Sequence, residues 1–376
     1  MKTPTSIKTM KISTSNRQET PDLKGLSSAE IERWAVNQGL PAYRGRQIRH
    51  WIFRRLAQSF GDMTDLPKKL RSTLEQTVDL QCLEITDILV SRDGTEKYIF
   101  KLKDGHLIES VLIPERDHLT LCISSQAGCA MGCKFCLTGS RGLIRNLEAS
   151  EIVDQVIQVR SRVSNPNRLT NIVLMGMGEP LANYSNVLKA LQNLISPDGM
   201  NFSHRKVTLS TSGLVPQMRK LGQDITVNLA VSLNAANDKT RSFLMPINKR
   251  YPLSELMDAC RDFPLPSRRM ITFEYIMMDG INDSEEDAEN LVKLLQGIRA
   301  KVNLIPFNKH ENSQFQPSSA ERISRFQKLL IEKHITAIIR KSKGPDIMAA
   351  CGQLGGHLSP SNPVCNVHDA KGRCTT

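Results

Sequence analysis

The chain has 376 residues, of which 40% are hydrophobic and 23% charged, the balance of an ordinary globular protein with room for a core domain and an appendage. No apolar run of signal-peptide length opens it, and none approaches the roughly 18 residues of a membrane span, so a cytoplasmic protein without a membrane partner is expected. The formal net charge of +12 favours a polyanionic partner such as nucleic acid over a merely well-solvated basic surface.

Residues 1–20 are polar and expected to be disordered. From Ser27 to about Leu80 the spacing is helical. Ser27 or Ser28 caps a helix through Ile31, Trp34 and Val36; a second covers Tyr43–Leu56 and a third Leu66–Leu74. The second carries Arg44, Arg46, Arg49, Arg54 and Arg55 beside His50, a set that fits a solvated face and a phosphate contact equally well. Alternating segments at Glu84–Val90, Lys97–Leu102 and Leu107–Ile113, with turns at Asp93-Gly94 and Asp104-Gly105, predict a small antiparallel sheet. Glu109 lies in the last of them; a lone carboxylate in a strand is more often solvent-facing than catalytic, and periodicity alone does not single it out.

Beyond Leu119 the rhythm becomes strand, loop, helix. Strands are predicted at 119–124, 171–175, 206–210, 226–232, 270–277 and 301–306, with a further one at 337–340. Helices are predicted from Ser150 and over 187–195, 254–260, 287–298 and 320–333. Repeating β-α units demand a parallel sheet, and six of them fit a partial barrel better than a closed eightfold one. The fold class is therefore α/β: a partial (β/α)6 barrel at 115–345, a basic helical and antiparallel accessory domain at 21–114, and an irregular tail at 346–376. Functional loops belong at the C-terminal ends of the strands. Cys129–Cys136, Gly176–Pro180, Ser210–Gly213, Ser232–Asn234 and Asn308 all fall there.

Among nine cysteines, Cys129, Cys133 and Cys136 form a C-x3-C-x2-C loop. Three thiols leave one iron of a 4Fe-4S cluster open; the alternatives are a zinc site completed by Cys122 or a histidine, or plain buried cysteines. The dense clustering, and the lack of a second C-x2-C pair, favour the iron-sulfur cluster. Cys82 and Cys260 are expected in or near the core, and Cys365 and Cys374, with His357 and His368, are too irregularly spaced for a second metal.

The cysteine loop with Phe135, and the Gly178-Glu179-Pro180 turn, resemble the radical S-adenosylmethionine (SAM) enzymes. The resemblance extends to the RlmN/Cfr family of RNA methyltransferases through Leu121–Gln126, Gly176–Pro180, Leu209–Gly213, Asn303–Pro306 with Asn308, and Asp346 with Ala349–Leu354. It implies a 4Fe-4S cluster on Cys129, Cys133 and Cys136, with SAM on the open iron. It also implies SAM contacts at Gly178, Glu179, Ser210, Ser232, Leu233, Asn234 and Asn308, and two SAM molecules per turnover. Cys351 would be methylated first and pass its methyl carbon to an adenine. Cys122 would release the product through a transient disulfide, and Glu109 would accept the proton. The implied product is 2-methyladenine in 23S rRNA and tRNA, the alternative being carbon 8 as in Cfr-type enzymes. An external electron donor such as flavodoxin and a monomeric state are also expected. Two positions depart from the family pattern: Asn234 replaces a histidine of some relatives, and Leu143 replaces an aromatic, a change read as packing.

Overall fold

The computed structural model describes residues 22–355 except 79, 81, 82, 311 and 312. Residues 1–20, Cys82, Cys365, Cys374, His357 and His368 lie outside the described residues.

Helix α1 (Ser28–Asn37) starts at a capping box in which the Ser27 side chain accepts from Glu30 N–H and the Glu30 carboxylate accepts from Ser27 N–H. Helix α2 (Ala42–Phe53) is shorter than its periodicity predicts, the chain leaving it before Leu56, which has φ +57°. Helix α3 spans Lys68–Thr77. Arg49 belongs to neither of the surfaces offered for the basic helix. It is buried, with Nη1 donating to Leu26 O (3.0 Å), Nη2 to Asn193 Oδ1 (3.1 Å) and Nε to Asp198 (3.2 Å). A guanidinium fork that satisfies three acceptors at once is suited to such a buried staple. A second staple, Lys24 to Asp154, is a fully buried ion pair at 2.5 Å.

Among the described residues the strands form one ten-stranded sheet and a hairpin. Strands β1 (Glu84–Val90), β2 (Glu96–Lys101), β3 (Leu107–Pro114) and β4 (Leu119–Cys122) pair antiparallel in sequence order. Strands β5 (Gln126–Gly128) and β6 (Leu143–Asn146) make the hairpin that carries the cysteine loop. From β4 the sheet continues in parallel through β7 (Leu169–Leu174), β8 (Val207–Thr211), β9 (Asn228–Ser232), β10 (Ile271–Met277), β11 (Ala300–Pro306) and β12 (Thr336–Ile339). The first and last strands do not meet, so the barrel is open, as predicted. The antiparallel strands extend the barrel wall itself.

The crossover helices are α5 (Ala149–Arg162), α6 (Tyr184–Ile195), α7 (Val215–Asp224), α8 (Asp238–Leu244), α9 (Leu253–Arg261), α10 (Glu285–Leu294) and α11 (Ala320–Glu332); the short α4 (Leu137–Ser140) follows the cysteine loop. Their apolar faces pack on outward residues of the strands, such as Leu209, Leu229, Phe273 and Leu304, in one continuous core that also takes in Ile31, Ile52 and Phe53 of the N-terminal helices. Cys260 is in this core, as expected. Among the described residues no helix is long and apolar enough to cross a membrane.

Candidate active site

Strand polarity carries the loops between 123 and 136, 175 and 180, 210 and 213, and 232 and 234 to one end of the barrel. There Cys129, Cys133, Cys136, Gly178, Glu179, Ser210, Ser232, Asn234 and Cys351 line a single cavity. Burial raises the thiols of Cys129, Cys133 and Cys136, and each of the first two is raised further by its cysteine neighbours and Glu179. Coordination by a metal removes such a proton outright. Among the described residues no three His, Cys, Asp or Glu side chains are gathered closely enough to share one ion. Three thiols lining one cavity are a donor set that a 4Fe-4S cluster would accept.

The Gly-Glu-Pro turn is held by close backbone packing. Gly178 has φ +100°, and a Cβ there would lie 2.5 Å from Gln126 Cβ; at Gly176 it would lie 2.7 Å from Ile123 O. Only glycine fits both positions. Glu179 is buried, accepting from Leu181 N–H (3.0 Å) and Ser212 N–H (2.7 Å). Burial raises its pKa against the lowering effect of those donors, and a cationic ligand group would restore the charged form.

Ser210 and Ser232 present their side of the cavity wall. Asn234 has φ +58°; its Oδ1 accepts from Ile276 N–H (2.8 Å) and its carbonyl from Asn282 Nδ2 (2.8 Å). Its side chain thus holds the loop's left-handed turn, which asparagine tolerates well. Leu233 lies behind the wall, with its N–H on Glu274 O and its carbonyl on Arg241 Nε. Asn308 does not line the cavity: it donates to Cys351 O (3.1 Å) and accepts from Ser342. Leu143 is 45% exposed at the start of β6, so packing does not explain the loss of an aromatic there.

The described residues of the tail, from a 3-10 turn at Pro345–Ile347 to Gly355, are tied by bonds to distant parts of the chain. Asp346 accepts from Ser91 Oγ and Arg92 N–H, and Asp93 from Gly344 N–H. Leu137 N–H donates to Gly352 O (2.8 Å), Thr138 Oγ1 to Leu354 O (2.8 Å), and Gln353 Nε2 to Lys309 O (2.9 Å). These bonds hold Cys351 in the mouth of the cavity, where surrounding protein and Glu274 push its thiol up to about 11. Cys122, at the end of β4, is buried, and burial raises its thiol with a further contribution from nearby Cys351.

Contrary to the usual solvent-facing placement of a lone strand carboxylate, Glu109 is fully buried. Its Oε2 accepts from Gly355 N–H (2.7 Å), and Oε1 lies 3.5 Å from the equally buried Lys97 Nζ. Lys97 pairs across the sheet with Val111, which pairs in turn with Cys122. Glu109, two residues from Val111 on β3, therefore shares the inner face with Lys97 and Cys122.

Residues 21–80 match the family model for the ribosomal RNA large subunit methyltransferase N-terminal domain, and residues 123–295 that of the radical SAM superfamily. The dual-specificity RNA methyltransferase RlmN of Geobacter sulfurreducens is 54% identical over 342 residues, 91% of this chain and 94% of its own. The chain belongs to the RlmN family of radical SAM enzymes. The RlmN of Geotalea uraniireducens is also 54% identical, over 90% of this chain and 98% of its own. A crystal structure of a radical SAM methyltransferase from Sphaerobacter thermophilus matches with a TM-score of 0.85 at 47% identity, covering 89% of this chain and 98% of that one. Membership of the RlmN family implies a 4Fe-4S cluster and SAM, which the donor set described above fits.

Three residues of this RlmN-family site escaped the sequence reading. Lys97 had no signal beyond a charge in an apolar strand. Glu274 lines the cavity, accepts from Asn303 Nδ2 (3.0 Å) and is raised by burial; a lone carboxylate in Ile271–Met277 was the available clue. Arg241 is fully buried behind the cysteine loop and donates to Leu233 O, Ser212 O, Ser232 O and Asn248 Oδ1.

A pH prediction follows from the tail anchor at Asp93. Burial would raise its carboxyl, but bonds from Thr95, Gly344 and Ser91 outweigh that and hold it at about 2, below the ordinary 3.8. A depressed carboxyl contributes stability above its unfolded pKa and loses it as pH falls through the folded one. Proteolytic nicking of residues 344–355 is expected to rise in the wild type between pH 4 and about 2. Asp93→Asn should be nicked faster at pH 7 and respond less over that acid window.

Proposed function

We propose that this enzyme converts an adenine of 23S rRNA, and of tRNA, to 2-methyladenine in the cytoplasm, using Cys351 as methyl carrier. The observation that carries this reading is that Cys351 lines the same cavity as the cysteine loop, with Cys122 close enough to feel its charge and Glu109 bonded to Gly355, four residues further along the Cys351 tail. A radical SAM enzyme that only generated a protein radical would need the loop but neither of the other two thiols.

Cys129, Cys133 and Cys136 would hold the cluster. Gly178, Glu179, Ser210, Ser232 and Asn234 would receive SAM, with the Glu179 carboxylate facing its ammonium group; Leu233 and Asn308 would act from behind, one supporting the wall and the other holding the Cys351 backbone. When bound, the cluster and SAM supply the methyl group and, from a second SAM, the deoxyadenosyl radical that activates it. An aromatic adenine carbon is a poor nucleophile toward a sulfonium methyl, which is why a thiol carrier is useful. The Cys351 sulfur accepts the methyl group and carries its carbon to the base. Glu109, on the same inner face, takes the proton from the substituted carbon. The Cys122 thiolate attacks the Cys351 sulfur; the carbon–sulfur bond breaks with its electron pair left on the methylene carbon, which takes up a proton to become the product methyl group, and a disulfide remains, which external reductant must reopen.

The accessory region (21–114), core (115–345) and tail (346–376) would serve RNA docking, radical chemistry and methyl carriage. An electron donor such as flavodoxin and a monomeric enzyme complete the proposal. The RlmN names of the quoted relatives favour carbon 2 over carbon 8. Mass spectrometry of RNA from a deletion strain tests this: 2-methyladenine is expected to vanish from both RNAs and return on complementation. Unchanged 2-methyladenine, or loss of 8-methyladenine instead, would sink it.

A further inference from the structure

The interior of a closed barrel is filled by layers of side chains. Here the inward positions Thr208 of β8, Asn228 of β9, and Lys301 and Asn303 of β11 are polar and half-buried, alternating with fully buried outward residues. Polar side chains therefore line the inner face of the barrel beneath the cysteine cavity. The barrel floor, at the N-terminal ends of β8 to β11, is basic. Arg205, Arg268, Arg269 and Lys301 surround a concavity of about 260 Å3, together with Thr208 and Asn228 and with no carboxylate among its lining residues.

Arg269 uses Nη1 on the neutral Asn228 Oδ1, while its Nη2 is buried without a hydrogen-bond partner. Burial lowers the Arg269 pKa, and the like charge of Arg205 lowers it further. Four cations around one hollow repel each other, and an orphaned buried donor is costly. An anion with several oxygens would relieve both, and phosphate matches the guanidinium fork. Two strand residues, about 7 Å, separate Thr208 from Ser210, where the cysteine cavity begins. One extended nucleotide spans such a gap.

We infer that this basic floor binds a backbone phosphate of the substrate RNA beside the target nucleotide. The inference rests on the RNA methyltransferase reading and adds a contact at the barrel end opposite the thiols. It is tested with the full-length enzyme and an RNA stem-loop that the wild type methylates. Arg205 and Arg268 are exposed, so the double variant Arg205→Gln/Arg268→Gln should fold. RNA-independent methyl loading of Cys351, read from protein mass, should match the wild type. RNA affinity is expected to fall about tenfold or more, and the log–log salt slope to decrease by about one. Single methylphosphonate linkages flanking the target should weaken wild-type binding at one position and leave the variant's binding there unchanged. An unchanged slope together with unchanged linkage sensitivity overturns the inference. So does calorimetry in which inorganic phosphate binds only the wild type while both proteins bind RNA alike, which would mark a free-anion site. Failure of the wild type to methylate any RNA would instead strike the functional reading itself.

Discussion

Cys351→Ala is expected to reduce RNA methylation below detection while the brown cluster chromophore and reductive SAM cleavage persist. The substitution removes the sulfur that accepts the methyl group and leaves the three loop thiols and Glu179 untouched. Cys122→Ala should stop the reaction later, with a different signature. Without a thiol to attack the Cys351 sulfur, the bond between that sulfur and the new RNA carbon persists, and a covalent protein–RNA adduct should accumulate on denaturing gels. The pair is informative because both thiols are held high. Burial and Cys351 raise Cys122, and the surrounding protein with Glu274 raises Cys351 to about 11 although Cys351 is exposed at the cavity mouth. Cys122 is buried and so is not an adventitiously reactive surface thiol. Full methylation by Cys351→Ala would end the carrier reading, whereas an adduct-free but inactive Cys122→Ala would remove its release step alone.

Much of this site was legible in the sequence because its chemistry sits at strand ends, where β-α periodicity fixes direction. Cys129–Cys136, Gly176–Pro180 and Ser210–Gly213 fall at one end of one barrel on β-α periodicity alone. The hairpin of β5 and β6 was not legible, since its strands have three and four residues, too short for an alternating pattern. Helices α7 and α8 were also missed, their apolar positions being few and their starts marked by Pro216 and Asn237, which serve turns equally well. Charge misled twice. Arg49 and Glu109 looked solvent-facing because propensity assigns charges to surfaces, and only tertiary partners such as Asn193 and Lys97 show otherwise. The described part of the tail (346–355) carries only one 3-10 turn, at Pro345–Ile347, and gave no hint of its position; its anchors are bonds to residues far away in the chain.

Lys97→Met is expected to cost about 3–5 kcal/mol of stability, the usual effect of leaving a buried charge without its partner. Among the described residues the Glu109 carboxylate would keep the Gly355 N–H, since Oε1 makes no hydrogen bond and lies 3.5 Å from Lys97 Nζ. Lys97→Met/Glu109→Gln should regain much of the loss, because two neutral groups replace an isolated ion, yet remain inactive if Glu109 accepts the proton. Glu109→Gln alone separates the partners by pH. Burial lowers the Lys97 pKa below 10.5, and Glu109 opposes that shift. Removing the carboxylate should lower the folded pKa further while the unfolded value stays near 10.5. Between those values the unfolded chain binds more protons, so stability rises with pH. Glu109→Gln is therefore expected to be most destabilised at neutral pH and to approach the wild type as pH nears 10. Urea midpoints across that range supply the measurement. A constant difference between the two proteins would mean that Lys97 does not answer to Glu109, and the proton acceptor would then have to be held in place by the tail alone.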